Sequence, residues 1–180
     1  MLDNRIFVRA TLAVVLCSAF PMIVVGCYFV HIPWNMERLD IGERDLGLAI
    51  LVFGIFFLIS NQFSARFLLP RIGTKIVMSL AMILISFSTV LLVIVPNYQL
   101  FLICSIPAGL GWGSSGPIGG IHAQLIEQHS KKIITPYYAM GFNIGIFLGG
   151  LLAAYFLNNN FTPWKIFLIL ACISIAVSLL

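Results

Sequence analysis

The polar residues of this chain are grouped, and apolar residues fill the intervals between the groups. All sixteen Lys, Arg, Asp and Glu side chains fall into five clusters: Asp3–Arg9, Glu37–Asp45, Arg66–Lys75, Glu127–Lys132 and the single Lys165. The stretches between them are about one hydrocarbon thickness long, or a multiple of it. A helix rises about 1.5 Å per residue, so roughly 20 apolar residues cross the ~30 Å core of a bilayer. The pattern predicts an all-α integral membrane bundle of six spans, at residues 7–30, 46–62, 76–95, 100–125, 136–157 and 164–180. Pro96-Asn97 closes the third span and Asn158-Asn159-Asn160 the fifth. Residues 1–180 read as a single transmembrane domain.

Composition agrees with the pattern. Hydrophobic residues make up 61% and charged residues 9% of the chain, against roughly 25% charged in a soluble domain. The basic-then-apolar start could pass for a signal peptide, but its apolar run continues to Val30 and lacks an A-x-A cleavage site. It reads as a retained first span. The net charge of +4 is modest and sits beside spans rather than in a dense run, so no nucleic-acid partner is expected. Cys17, Cys27, Cys104 and Cys172 lie inside apolar stretches without CxxC spacing and read as small buried hydrophobes.

Basic residues in alternate loops set the orientation. One side carries Arg5, Arg9, Arg66, Arg71, Lys75, Lys131 and Lys132, and the other carries Arg38, Arg44 and Lys165, seven against three. That asymmetry puts both termini in the cytoplasm. Glycine is as uneven as charge. The fourth span holds Gly109, Gly111, Gly113, Gly116, Gly119 and Gly120, the fifth holds Gly141, Gly145, Gly149 and Gly150, and the third and sixth hold none. Lipid supplies no hydrophobic drive for helix association, so close packing needs small residues at the contact. The fourth and fifth helices are therefore expected to be interior, and the third and sixth to face lipid. On this reading Ile85→Leu, in the third helix, is nearly silent. A peripheral helix closing each half suggests a three-plus-three repeat, a recurrent transporter design. Gly141, Gly145 and Gly149 recur every four residues on one helix face, either as a tight crossing or as a hinge.

The second loop, SARFLLPRIGTKIV, is short and basic, with Gly73 at a turn before the third span. It resembles the loop between helices two and three of major facilitator superfamily transporters, whose pattern is G-x-L-x-D-R-x-G-R-R/K. Arg71, Gly73 and Lys75 match its R-x-G-x-K end, Thr74 stands where an arginine is usual, Pro70 replaces the aspartate, and Arg66 stands at the first glycine. With a one-residue insertion, Arg66 instead aligns with an arginine that often follows that glycine. The family aspartate helps latch two halves together, so its replacement puts that latch in doubt. HIPWNMERLDIGERDLGLAI resembles the first external loop of bacterial members of unassigned substrate, and AGLGWGSSGPIGG the glycine-rich fourth helix. An arginine is frequent four residues before the first of those glycines; here the position is Ser105. GFNIGIFLGG has the glycine spacing of many antiporter fifth helices without their Gly-Pro pair.

The resemblance implies the N-terminal half of a twelve-helix carrier. Such a carrier moves a small solute by rocking-bundle alternating access, here in a bacterial-type inner membrane. Its partners are the lipid bilayer, the solute and a second six-helix half in the same longer chain or another copy. The competing expectation is a truncated or degenerate remnant that transports nothing.

Polar groups at membrane depth are the best pointers to a solute site. Trp112, Ser114 and Ser115 fall near the middle of the fourth span, Asn143 within the fifth and Tyr28 near the outer end of the first. Tyr28, Trp112, Ser115 and Asn143 are the cavity candidates. Asn143 could equally cap a carbonyl, and the serines can bond within their own helix. Glu127 and Lys131 are spaced to pair on one helix face, and Glu37 to Asp45 read as a solvated turn. No Asp, Glu, Lys or Arg lies in the middle of a span, so this segment offers no carboxylate proton carrier. No phosphate loop, zinc spacing or nucleophile elbow is present in the sequence, so neither enzyme chemistry, nor metal, nor cofactor is expected.

Overall fold

The computed structural model describes residues 4–130, 132–159 and 161–179, with side chains from Phe7 to Val177. Asp3, Lys131, Asn160 and Leu180 lie outside the described residues, as does the side chain of Arg5. Among the described residues the chain is helical, without strands. The elements are α1 (Asn4–Leu39), α2 (Glu43–Phe63), a π-helical turn (Ser64–Leu68), α3 (Leu69–Ile94), α4 (Tyr98–Ser130), α5 (Thr135–Asn158) and α6 (Pro163–Leu179).

Three helical stretches are long and apolar enough to cross a membrane: Phe7–Leu39, Glu43–Ile94 and Thr135–Asn158. The second is 52 residues long, far more than one bilayer needs. It folds back on itself at Gly73, whose φ of 79° and ψ of 165° interrupt the helix. No bulky L-residue is comfortable there. The helix α4 misses that hydropathy because serine, proline and glycine dilute its leucines and isoleucines, and α6 is shorter.

Two expected loops are largely helical. The basic segment around Arg66 and Arg71 is the π-helical turn and the first turn of α3, so the reversal is confined to Gly73. Helix α1 runs nine residues past Val30, through Pro33, to Leu39. The chain then reverses at Asp40, the only described non-glycine residue with positive φ (50°).

The principal helix pairs are α1 with α5, α2 with α4, α3 with α4 and α3 with α6. At the first seam, a Cβ built on Gly141 would strike Ser18 and Val15, on Gly145 the Ala19 carbonyl, and on Gly149 the Ile23 carbonyl. Gly26 of α1 meets the Ile146 carbonyl in return. Gly109 and Gly113 of α4 lie as closely on the carbonyls of Phe53 and Phe57 in α2. Exchanging α1 with α4, α2 with α5 and α3 with α6 carries the α1/α5 pair onto α4/α2. It also leaves α3/α6 in place. The exchange fails at one seam: α3 packs extensively on α4, whereas α6 touches α1 only sparsely.

The expectation of a lipid-facing third helix is overturned. Val77, Ala81, Met82, Ile85, Ser86, Ser88, Thr89, Leu92 and Val93 of α3 are all buried. One glycine on one partner is enough for a close seam, and α4 supplies it: a Cβ on Gly111 would meet the Ile85 amide nitrogen. Serine and threonine supply the other small surfaces. Ser86, Ser88 and Thr89 turn their hydroxyls to carbonyls of their own helix at 2.8, 3.0 and 2.6 Å. Ile85 is 1% exposed, so Ile85→Leu is a core shape change rather than a silent one. Conversely α5 is not enclosed. Its glycine face is buried, while Met140, Ile144, Phe147, Leu148 and Leu151 on its other faces are exposed. Helix α6 buries Ile166, Phe167 and Leu170 and exposes Leu168 and Ile169.

Glu127 does not act through its expected partner. Its carboxylate accepts the Ile134 and Thr135 amides at 2.5 and 2.6 Å, across the α4–α5 connection. Those are among the donors left unpaired at the start of α5, and the helix dipole favours the negative charge there.

Gly145→Leu is expected to cut the folded yield sharply, since forcing the α1 and α5 backbones apart costs at least the ~1–3 kcal/mol of an overpacked core. Size-exclusion profiles in mild detergent check this, and a parent-like profile contradicts the seam. Hydrogen bonds from the Thr135 and Ile134 amides hold the Glu127 carboxyl below the usual carboxylate range. Its folded-state value is depressed, so its contribution is present above the ordinary Glu pKa and is lost as pH falls through the lowered one. Amide exchange at residues 134–135, corrected for intrinsic rates, is expected to accelerate in that acid window. In Glu127→Gln it is expected to be faster than in the parent at neutral pH.

Candidate functional site

Helices α1, α2 and α4 leave a cavity of about 250 Å³ between them toward the Arg38 end of α1. Tyr28 and Phe29 line it from α1, Phe53 from α2, and Ser105 and Trp112 from α4. Its walls are aromatic and ordered. The Trp112 ring meets Phe53 edge-on at 5.3 Å and Phe29 at 6.4 Å, and Tyr28 stands edge-on to Phe167 at 6.3 Å. None of the described lining residues is charged. Ser105 donates to the Phe101 carbonyl of its own helix at 2.9 Å and is satisfied. The Trp112 indole N–H is buried without an acceptor among the described residues.

The four cavity candidates therefore divide. Tyr28 and Trp112 meet in one cavity. Ser115 is buried on another side of α4, where its hydroxyl donates to the Trp112 carbonyl at 2.9 Å and borders a small void beside Tyr138. Asn143 is exposed and donates to the Ala139 carbonyl, one turn back, at 2.8 Å. Both polar groups are answered by their own helix.

The loop-motif residues do not form a cluster around an acidic partner. Arg66 and Arg71 are exposed, Gly73 makes the reversal, and Lys75 lies at the edge of a second cavity. Ser114 belongs to a buried hydroxyl cluster instead. The Ser60 and Ser114 hydroxyls share a hydrogen bond at 2.6 Å, Ser64 donates to Ser114 at 2.9 Å, and Ser60 and Ser114 both reach the Leu110 carbonyl. The cluster joins α2 to α4 where the π-helical turn begins.

A polar stripe at the far end of α1 was read as loop. Asn35 donates to the Leu92 carbonyl at 3.4 Å. The Arg38 guanidinium donates to the Val95 carbonyl at 2.6 Å and to Asn35 Oδ1 at 3.0 Å, and stacks over Trp34 at 5.1 Å. A cation at the C-terminus of α3 answers carbonyls that have no helical partner and the negative end of the dipole. His31 is fully buried in the same stripe, its Nδ1 2.7 Å from the Cys27 carbonyl and its ring edge-on to Phe167. Residues 28, 31, 35 and 38 follow helical spacing. That signal becomes readable only once α1 is carried past Pro33.

Glycine-tight seams, long apolar helices and an uncharged cavity between α1, α2 and α4 define a membrane-embedded helical bundle of the transporter class. A family model of the Major Facilitator Superfamily matches residues 14–180, and the chain belongs to that superfamily. No individual curated protein matches it significantly.

Arg38→Gln is expected to lower stability on the order of the 1.5–3 kcal/mol of a charge-assisted hydrogen bond, read as a drop in melting midpoint in detergent. Arg38→Lys, which keeps the charge but loses the two-pronged geometry, is expected to fall between. A parent-like midpoint for both variants contradicts the cap.

Proposed function

We propose that residues 1–180 form the N-terminal six-span half of a carrier that moves a small, uncharged or aromatic solute across a bacterial-type inner membrane. The observation that carries this reading is the aromatic cavity bounded by Tyr28, Phe53 and Trp112. Two features favour an uncharged solute with a flat face and one acceptor. Ser105 occupies a position where the resemblance leads one to expect an arginine, so that cation is missing from the wall. Trp112 offers a buried donor with nothing to receive it, and unpaired polar groups are costly in a dry site. Phe53 and Phe29 supply surfaces for stacking.

The correspondence of α1/α5 with α4/α2 supports a three-plus-three repeat. The break at Gly73 supports reading Glu43–Ile94 as two spans, giving six in all with both termini cytoplasmic, as the basic residues favour. In that arrangement the exposed faces of α2 and α5, Asn143 included, meet the second half. The glycine seams α1/α5 and α2/α4 hold each pair together while the halves rock. Charge neutralisation, where a solute needs it, comes from that second half. Asn143 then serves the interface and Ser115 the packing behind the cavity, with Tyr28 and Trp112 contacting solute.

Cysteines at Trp112, Asn143 and the Asn97 turn, in a background lacking the four native ones, test this with a membrane-impermeant thiol reagent. Asn97→Cys is expected to label from outside. Trp112→Cys is expected to label in a solute-blocked manner, and Asn143→Cys in a manner that depends on the second half. A Trp112→Cys carrier that stays unlabelled in every state while transport continues makes Trp112 a packing residue and removes the site. Labelling of Asn97→Cys from inside only inverts the topology.

A further inference from the structure

A second cavity, of about 210 Å³, lies at the opposite end of the bundle from Arg38 and shares no lining residue with the aromatic one. It is enclosed by α1, α3, α4 and α6. Its walls are aliphatic or thioether: Val14, Met78, Met82, Ile118 and Val177. At its edge stand Thr74, Lys75 and His122, with the Thr74 hydroxyl 3.2 Å from His122 Nδ1. No carboxylate is among the described lining residues. Lys75 and His122 are both exposed on the side facing away from the core, so a charged group can reach them without being buried.

The position of this cavity follows from the broken exchange of helices. The seam between α3 and α4 is closed. Its counterpart between α6 and α1 is sparse, and Val177, Val14, Ala13 and Cys17 face the cavity across it. Space lined by flexible methionines and small residues, open between two membrane helices, has the chemistry of an acyl-chain slot. The basic residues at its mouth complement an anion.

We propose that this cavity holds one acyl chain of an anionic membrane phospholipid, whose phosphate is bound by Lys75 and His122. In the bound state Thr74 donates to His122 Nδ1, so the ring carries its proton on Nε2 and donates it to a phosphate oxygen. The second acyl chain stays in the bilayer. The lipid closes the α1/α6 seam that protein contacts leave open. This site is independent of the solute cavity, and its failure would leave the carrier reading untouched. A free fatty anion offers the same combination of chain and charge, so the test separates the two sources.

Native mass spectrometry of the full-length protein, delipidated and then exposed to phosphatidylglycerol, phosphatidylcholine, oleate or inorganic phosphate, decides the matter. One tightly held phosphatidylglycerol is expected, with phosphatidylcholine retained far less. Lys75→Gln and His122→Phe are each expected to weaken retention about fivefold, the scale of one interfacial charge. Ala13→Phe keeps both basic groups and fills the slot, and is expected to abolish retention of the lipid. His122 is exposed, so its replacement leaves the fold intact, and melting curves confirm that. Equal retention of phosphatidylcholine overturns the proposal, as does parent-like binding by Ala13→Phe. Retention of oleate without phosphatidylglycerol assigns the slot to a free fatty anion. Binding of inorganic phosphate alone reduces it to a simple anion site. Both of those outcomes also overturn the proposal.

Discussion

Everything in this bundle depends on how closely two helix backbones can approach in a solvent that gives them no reason to associate. In lipid, apolar side chains gain nothing by leaving one hydrocarbon surface for another. What remains is van der Waals contact at short range and hydrogen bonding. Gly141, Gly145 and Gly149 let α5 rest directly on the carbonyls of α1, and Gly109 and Gly113 do the same for α4 on α2. The two seams fix the directions of four helices. The space left where α1, α2 and α4 diverge is the aromatic cavity, and its size and lining follow from those crossings.

Much of this was readable from the order of residues alone. Charge clusters separated by bilayer-length apolar runs gave the membrane class, and glycines at every fourth position marked the face of α5 that is buried. The inference from glycine content to burial failed because a seam needs a small residue on only one side. Helix α3 has no glycine, yet it is deeply buried, because Gly111 comes to Ile85 and because serine, alanine and threonine are small enough elsewhere. Helix α5 is rich in glycine and still half exposed, since its glycines occupy a single stripe. Composition describes a whole helix, whereas packing is a property of one face.

The site was legible in part for a related reason. Tyr28 and Trp112 were chosen for their depth, and they do meet. Ser115 and Asn143 were chosen on the same ground, yet each hydroxyl or amide finds a carbonyl three or four residues away, which no count of membrane depth reveals. Arg38 and Asn35 escaped notice because the apolar run ends at Val30 and a proline follows at position 33. The backbone continues as helix regardless, carrying a polar stripe whose partners, Leu92 and Val95, lie 57 residues away in sequence. Glu127 was likewise assigned to a neighbour in sequence and instead serves the helix that follows.

The guanidinium of Arg38 ties the far ends of two parallel helices to each other. A pair joined at one end and looser at the other behaves as a lever whose fulcrum sits at the tie. Angular displacement between α1 and α3 then produces little travel near Val95 and the most near Thr74, some 20 residues away along α3. The aromatic cavity lies close to the pivot, where the walls hold their spacing. The basic end of the bundle lies at the tip of the arm, where a small rotation becomes a large opening.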